Sequence, residues 1–354
     1  LCHGSSCGDA GSILIDSQNI TMNDGARIHS LTEGGGAGGD VVIDVEESVV
    51  FSGEGSSGEV SGLNASSRSA QSNGGNAGHI YVEARDITLN DGAQILSDTL
   101  GGGRGGDVRI NVEESVTFSG ESSARACSGV YASSKSSRSD SGRAGSISVE
   151  ANDIVLNDGA QITSDTHGGG RSGDIVIDVD ESIALIGENS AGAGCGVYAN
   201  SLSHESYSGN AGSVSIESNN MALNDGGRIA SNTNGGGLGG DIEIKAVESA
   251  TLSGESSNGE LSGVYAFSTS PEKFGGNAGH VLIESEYILL DRGVINTSSK
   301  GAGHAGEIKL DVARLKLQNG ASISSSNASP SPFYAGEAGA ISIIADDYVK
   351  LLDN

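Results

Sequence analysis

The sequence predicts an all-β fold, a right-handed parallel β-helix of about ten to eleven coils with three short strands in each. Three observations predict it. The chain repeats with a fixed 67-residue period, its apolar residues alternate in short runs, and turn-forming residues end each run.

The composition allows only a thin and repetitive core. Among 354 residues there are 57 glycines, 5 phenylalanines and no tryptophan, so large aromatic side chains cannot fill a globular interior. Acidic residues outnumber basic ones by 46 to 19, and the net charge of −27 repels phosphates and anionic lipids. No run approaches the roughly 18 apolar residues that span a bilayer. We therefore expect neither nucleic-acid binding nor membrane insertion.

The 67-residue period consists of two unequal coils. Glycines recur at one position of each repeat and Gly-Asp pairs at a second position, which divides the repeat into a 28-residue coil and a 39-residue coil. The first series is Gly11, Gly78, Gly145, Gly212 and Gly279, and the second is Gly39-Asp40, Gly106-Asp107, Gly173-Asp174 and Gly240-Asp241. Shorter coils follow from residue 306. We interpret residues 1–354 as a single β-helix.

Each coil is predicted to contain three short strands. The first coil shows the pattern as Ile13-x-Ile15, Ile20-x-Met22 and Ile28. Such strands cannot bury an apolar face alone, so each coil must stack on the next and form parallel hydrogen bonds with it. Helical repeats are excluded because the sequence lacks an apolar stripe with the spacing of a helix.

Turns and loops separate the predicted strands. The sequence Asn23-Asp24-Gly25 returns in the next three repeats and predicts a tight turn with a left-handed glycine. The longer coil carries 11 extra residues, which we expect to form loops. Seven of them recur at 54–60, 121–127, 188–194 and 255–261, so they should form a ridge along one edge. Loops on a rigid scaffold are where binding usually occurs.

Several runs resemble coils of filamentous-haemagglutinin-type exoproteins. The clearest are residues 75–82, Gly-Asn-Ala-Gly-His-Ile-Tyr-Val, and residues 86–95, Asp-Ile-Thr-Leu-Asn-Asp-Gly-Ala-Gln-Ile, and the resemblance extends over essentially the whole chain. Proteins of this family are long β-helical fibres exported by two-partner secretion. The resemblance implies an extracellular location on the bacterial cell surface and a role in adhesion, aggregation or toxin delivery.

The same resemblance implies the partners. They are glycans or proteins on host or neighbouring cells, or copies of the chain itself, together with an outer-membrane transporter during export. The family's amino-terminal secretion domain and carboxy-terminal effector have no counterpart in the sequence. We therefore interpret the sequence as the middle of a longer adhesin or fibre.

Two other functions are compatible with a β-helix. A structural sheath or extracellular filament uses the same rod, and the sequence barely separates it from an adhesin. A β-helical polysaccharide lyase or hydrolase needs several Asp, Lys or Arg side chains in one groove, and such a site should interrupt the repeat. No single coil holds an unrepeated cluster of acidic and basic residues. We therefore predict a non-catalytic protein that requires no cofactor.

A row of tyrosines is the first candidate ligand site. If the valine before each tyrosine faces inward, alternation places the tyrosines outward on the third strand, two coils apart. Exposed rings in such a row can stack on sugars or on another fibre, or simply pack along the ladder. The residues are Tyr131, Tyr198 and Tyr265.

A column of carboxylates is the second candidate site. At the end of the first strand the outward residues, coil by coil, are Asp16, Asp44, Glu83, Asn111, Glu150, Asp178, Glu217, Lys245, Glu284 and Asp311. Like charges about 4.8 Å apart repel. Either salt screens side chains that splay apart, or calcium bridges neighbouring carboxylates. The candidate calcium ligands are Asp16, Asp44, Glu83, Glu150, Asp178 and Glu217.

The four cysteines do not form a disulfide scaffold or a zinc site. They neither repeat nor occur as paired C-x-x-C ligand sets. Cys2 and Cys7 are close enough in sequence to form a disulfide, and two reduced thiols in a loop are the alternative.

Overall fold

The fold is all-β and consists of stacked parallel coils. The computed structural model describes residues 8–331 and 333–352, and every regular element in them is a strand. The predicted parallel β-helix is confirmed. The strands are β1 (Ile13–Asn23), β2 (Arg27–His29), β3 (Val41–Ser52), β4 (Gly62–Asn64), β5 (Ile80–Asn90), β6 (Gln94–Leu96), β7 (Val108–Ser119), β8 (Gly129–Tyr131), β9 (Ile147–Asn157), β10 (Gln161–Thr163), β11 (Ile175–Ile186), β12 (Gly196–Tyr198), β13 (Val214–Asn224), β14 (Arg228–Ala230), β15 (Ile242–Ser253), β16 (Gly263–Tyr265), β17 (Val281–Asp291), β18 (Val294–Asn296), β19 (Ile308–Gln318), β20 (Ser322–Ser324) and β21 (Ile341–Leu352).

Two parallel sheets extend along the rod. The odd-numbered strands form a sheet of 11 strands and the even-numbered strands a sheet of 10. Each strand pairs with the equivalent strand of the next coil. The register joins Ile13 to Val41 and Val41 to Ile80, so the short and long coils alternate as the two glycine series predict. At the far end the register joins Ile308 to Ile341, a shorter step than the earlier long ones.

The first two predicted strands of each coil are continuous in the structure. In the pairing of β1 with β3, the register shifts between Ser17 and Asn19, which marks a bulge inside one long strand. A bulge bends a strand without ending its ladder, so the two predicted strands remain one element. The long coil accommodates the extra residue: β3 has 12 residues and β1 has 11. The three-residue strands are the third predicted strand.

The core consists of columns of stacked aliphatic side chains. Ile80 and Ile154 are both 0% exposed, which confirms that the predicted columns face inward. Burying one such side chain contributes about 1.5–3 kcal/mol. In the first coil Ile13 and Ile20 are only partly buried, because a neighbouring described coil covers them from one side. Among the described residues no helix could span a bilayer.

The Asn-Asp-Gly turns join the long strands to the short ones. Asp24 and Gly25 both have positive φ, 55° and 82°, and the equivalent pairs of the next three repeats do too. The N–H of Ala26 donates to the carbonyl of Asn23 at 3.1 Å and closes the turn. A Cβ on Gly25 would lie 2.5 Å from the carbonyl oxygen of Glu59, so this glycine also allows the following loop to pack closely.

A column of buried hydroxyl side chains runs beside the second sheet. Single residues pair there in parallel from Thr32 to Asn327, one in each coil. Ser134 donates its hydroxyl hydrogen to the carbonyl of Gly142 at 2.6 Å. Seven other hydroxyl groups of the column have no hydrogen-bond partner among the described residues: Ser67, Thr99, Thr166, Ser201, Thr233, Ser268 and Ser299. Backbone hydrogen bonds therefore join the coils at these positions.

Candidate functional site

The loops of the longer coils fold into four small hairpins. Residues 54–60, 121–127, 188–194 and 255–261, here called the loop ridge, each begin and end in an antiparallel bridge. A residue with positive φ forms the tip, which is Gly58, Gly192 or Gly259 in three hairpins and Arg125 in the other. Each hairpin is closed by a backbone hydrogen bond such as Gly55 N–H to Glu59 O, 2.8 Å long. The predicted loops therefore have a defined shape.

Neighbouring hairpins of the loop ridge bind one another. The N–H of Ser190 donates to the Glu121 carboxylate at 3.2 Å, and the N–H of Ser257 donates to the Glu188 carboxylate at 2.6 Å. Asn258 Nδ2 also donates to the Ala191 carbonyl at 2.8 Å. The last three hairpins thus form one continuous surface, parallel to the rod.

The loop ridge ends with an ion pair. Glu255 lies in the last hairpin, and Arg292 Nη1 is 3.1 Å from its Oε1. The carboxylates of Glu121 and Glu188 each accept a backbone N–H of the next hairpin. At Glu255 the guanidinium group of Arg292 donates instead.

The three predicted tyrosines lie on the side of the third strand opposite the core, but they are partly buried. Tyr131, Tyr198 and Tyr265 donate their hydroxyl hydrogens to the last hairpin residue of their own coil, at 3.0, 3.2 and 2.8 Å. Burial raises the pKa of each phenol. This geometry corrects the expectation of a freely exposed row, because the hairpins fold back onto the rings. A ligand-binding role for the three tyrosines stays a prediction.

The tyrosine rings explain two recurring glycines of the repeat. A Cβ on Gly196 would lie 2.2 Å from Cζ of Tyr198, and one on Gly263 would lie 3.0 Å from Cε2 of Tyr265. Each ring therefore lies over the glycine two residues before it. The guanidinium of Arg228 stacks on Tyr265 at 5.3 Å and pairs with Glu260 at 2.9 Å. These contacts link the loop ridge to the short strands.

The carboxylate column has the predicted register. Every successive pair from Asp16 to Asp311 consists of Cα partners in neighbouring strands. Cations of the chain reduce the repulsion, since Arg109 pairs with Glu150 at 2.9 Å and Lys245 pairs with Glu217. The hydrogen bond to Glu217 raises the pKa of Lys245. This favours direct ion pairing at those two positions.

A calcium site in this column stays a prediction. In the described part of the chain, no group of three or more His, Cys, Asp or Glu side chains is arranged to hold a metal ion. Successive pairs such as Glu150 and Asp178, and Asp178 and Glu217, are nevertheless register partners. Bridging by a cation would therefore act on pairs of carboxylates rather than on a closed site.

No family model matches the chain, and neither a curated protein nor a solved structure does.

The structure contains a polar ladder that the sequence reasoning missed. At one position beside the buried hydroxyl column, a side-chain oxygen accepts the backbone N–H of the next coil in six successive coils, from Ser66 to Asn232. Asp98 accepts the N–H of Ser133 at 2.7 Å, and Asp165 accepts that of Asn200 at 2.6 Å. The sequence feature that could have revealed this ladder is the recurrence of Ser, Asn or Asp at this position of successive coils. Most of these residues lie in a segment whose composition otherwise indicates a loop.

The two ladder carboxylates differ in charge compensation. Lys135 Nζ lies 2.6 Å from Asp98 Oδ2, whereas Leu202 holds the equivalent place beside Asp165. Asp165 is 9% exposed and has no ion pair within the described residues. Burial raises its pKa to about 7, although hydrogen bonds from Asn200 oppose the change.

The described cysteines are buried and structural. Cys195 Sγ accepts the N–H of Gly159 and donates to the carbonyl of Ile186, both at 3.0 Å. Ser128 makes the same two contacts in the previous long coil. Burial raises the pKa of the Cys195 thiol to about 11 and also raises that of Cys127. The candidate disulfide between Cys2 and Cys7 lies outside the described residues.

Proposed function

We propose that the chain is a non-catalytic rod segment of a secreted bacterial adhesin or fibre that mediates attachment or cell–cell aggregation. The observation that carries this proposal is the loop ridge, a row of four hairpins on a rigid ladder, of which the last three are joined by hydrogen bonds. Parallel hydrogen bonding along the rod fixes the scaffold, so the hairpin tips can vary in sequence without disturbing it.

The tip sequences support a recognition surface. The four hairpins share an initial glutamate but differ in their exposed residues, which include Arg125 in the second hairpin and Asn258 in the fourth. The tyrosines beneath the last three hairpins hold them in place through hydrogen bonds. Export through an outer-membrane transporter, and a location on the cell surface, follow from the resemblance to filamentous-haemagglutinin-type exoproteins.

A blocking experiment tests the role of the loop ridge. Ala124→Cys and Ala191→Cys place thiols on two exposed hairpin tips, and a maleimide-linked polyethylene glycol then covers them. The background carries Cys2→Ser and Cys7→Ser so that the label reaches only the tips. The assay couples the protein to beads and counts beads that attach to bacterial and host cells.

The matched control places the label on the long strands instead. Val176→Cys and Val247→Cys use side chains that are 48% and 49% exposed. We expect labelled tips to abolish most attachment and the labelled strands to retain it. Equal attachment in both would exclude the loop ridge as the contact surface, and unlabelled beads that neither attach nor aggregate would refute the adhesin proposal.

A further inference from the structure

A polar groove crosses the coils just before the long strands begin. Its volume is about 450 Å³, and it spans the coils that start with β3, β5, β7, β9 and β11. Its walls are two columns of residues that lie three positions apart in each coil: Arg104 and Arg143 belong to one, and Asp40, His79, Asp107, Ser146 and Asp174 belong to the other. Glycine and alanine form much of the floor between the walls, so the groove is open to an extended ligand.

The arginines of the groove belong to a cationic column. The carbonyl groups of Arg104, Arg143 and Arg171 each accept a backbone N–H from the preceding coil. In each case the donor is an alanine or glycine, and these donors occupy the same position in their coils, so the three arginines are equivalent residues of successive coils. Neighbouring coils are about 4.8 Å apart, and two like charges at that distance repel by about 1 kcal/mol in water. The column therefore needs compensation by negative charge.

That compensation is incomplete in the protein itself. Arg171 pairs with Asp174 at 2.9 Å. Arg104 and Arg143 are exposed and pair with no carboxylate among the described residues, although the chain has 46 acidic residues and 19 basic ones. Two adjacent guanidinium groups left unpaired in so acidic a chain form a site that an anionic ligand would neutralise, and each can bind a carboxylate or sulfate with two hydrogen bonds.

The opposite wall offers hydrogen bonds suited to hydroxyl groups. His79 Nδ1 accepts the N–H of Asp107 at 3.0 Å, so the neutral ring carries its proton on Nε2. Asp107 Oδ1 accepts the N–H of Ser146 at 2.8 Å and its Oδ2 lies 3.6 Å from His79 Nδ1, while the carboxylate is 60% exposed and, with the exposed serine hydroxyl, is accessible to a ligand. Beside the groove, the ring of Tyr81 is 43% exposed and lies 6.4 Å from the His79 ring. An exposed aromatic face is suited to a sugar ring.

The geometry points to a binding site for a linear acidic polysaccharide that lies along the rod, with its anionic groups on Arg104 and Arg143 and its hydroxyl groups on the opposite wall. A sugar presents acid and hydroxyl groups on different edges and therefore suits both walls. A single-stranded DNA also carries an anion on every unit, but it has no free sugar hydroxyl groups along its chain for the opposite wall. The net charge of −27 is screened beyond about 8 Å at physiological salt, so binding depends on the position of the anionic group, close to Arg104 and Arg143 and away from Asp40, Asp107 and Asp174 of the opposite wall. This inference deepens the proposed adhesin function and rests on it for a biological partner.

Isothermal titration calorimetry tests the groove with four probes: oligogalacturonate, dextran sulfate, neutral dextran and a single-stranded DNA oligonucleotide. The variant is Arg104→Asn with Arg143→Asn. It should fold, because Asn76 holds the same position one coil earlier and its Oδ1 accepts the N–H of Arg104 at 2.9 Å. The control, Lys273→Gln with Lys300→Gln, removes the same charge from two exposed lysines that have no ion pair within the described residues.

We expect the wild-type chain to bind an acidic glycan and the arginine variant to lose about tenfold or more in affinity, with the lysine control unchanged. Binding of oligogalacturonate identifies carboxylate as the anion, and binding of dextran sulfate alone identifies sulfate. Absence of binding to both, equal losses in the two variants, or equal binding of neutral dextran or DNA would overturn the inference.

Two outcomes separate this inference from the proposed function. Beads that still attach to cells while no acidic glycan binds would overturn the groove and leave the adhesin proposal standing. An oligogalacturonate recovered with shorter chains would refute the non-catalytic part of the proposed function, and would support the groove as the glycan site if the arginine variant leaves the chains at their original length. Binding that depends on Arg104 and Arg143, with the probe recovered at its original length, supports both.

Discussion

The buried carboxyl group of Asp165 makes the stability of the rod depend on pH. Its pKa is about 7 in the folded chain, compared with about 3.9 for an Asp in an unfolded chain. Between these two values the folded state holds a proton that the unfolded state has released. Stability therefore falls as the pH rises from about 4 to 7, and the loss is complete above 7.

The magnitude follows from the difference between the two pKa values. A difference of about three pH units corresponds to about 4 kcal/mol, which is a large fraction of the stability of an ordinary domain. The change Asp165→Asn should remove this cost, because a neutral amide replaces the carboxylate. Asn232 already occupies the equivalent position in the next repeat and accepts the N–H of Phe267 at 2.9 Å, so the ladder accommodates the amide.

Two further variants separate charge from packing. Leu202→Lys places a cation where Lys135 stands beside Asp98, so it should lower the pKa of Asp165 and increase stability at pH 8. Asp98→Asn is the matched control. It breaks an existing ion pair and should not increase stability at any pH.

Urea unfolding followed by circular dichroism at pH 4, 6, 7 and 8 measures these effects. We expect Asp165→Asn and the wild type to have similar stability at pH 4, and the variant to be more stable by up to about 4 kcal/mol at pH 8. A difference that is the same at every pH would show that packing, not ionisation, distinguishes them. If the stability of the wild type and of Asp165→Asn depends on pH in the same way, the raised pKa of Asp165 is refuted.

Three other predictions follow from the columns of the rod. Ser201→Ala should be neutral or stabilising, because its buried hydroxyl has no partner among the described residues. Ser134→Ala should lower the stability by about 1 kcal/mol, because it leaves the Gly142 carbonyl without that donor, and thermal unfolding compares the two variants. Cys195→Ser should keep the wild-type melting temperature, because serine makes the same two hydrogen bonds in the neighbouring long coils, and a drop of several degrees would contradict this. Millimolar calcium should raise the melting temperature more than sodium chloride of matched ionic strength does, and Glu150→Gln with Asp178→Asn should weaken that difference. Equal melting temperatures in the two salts would show that the cations act only by screening the carboxylates.

Much of the fold could be predicted from the sequence because of its period. In a parallel in-register stack, the neighbours of a residue are the residues one coil before and after it, so the lengths of the two coils identify the partners of Ile13 or Asp16 directly. Alternation then separates the inward columns from the outward ones. The carboxylate column and the burial of Ile154 were predictable for this reason.

The period did not predict how the loops fold back or which side chains meet across a corner. The tyrosines were expected to be exposed, and only the tertiary structure shows the hairpins closing over Tyr131, Tyr198 and Tyr265. Arg104 and Arg143 lie in different coils and become neighbours in a groove only because the corner before each long strand repeats in register.

The sequence by itself determined the coil, its register and its inward face, because these depend on a residue's neighbours along the period. The tertiary structure decided the environment of individual groups. Asp98 and Asp165 occupy equivalent positions, yet only Asp98 has a lysine within reach, and the burial of Asp165 raises its pKa. Burial and ion pairing depend on distances between side chains from different parts of the repeat, and those distances exist only in the folded rod.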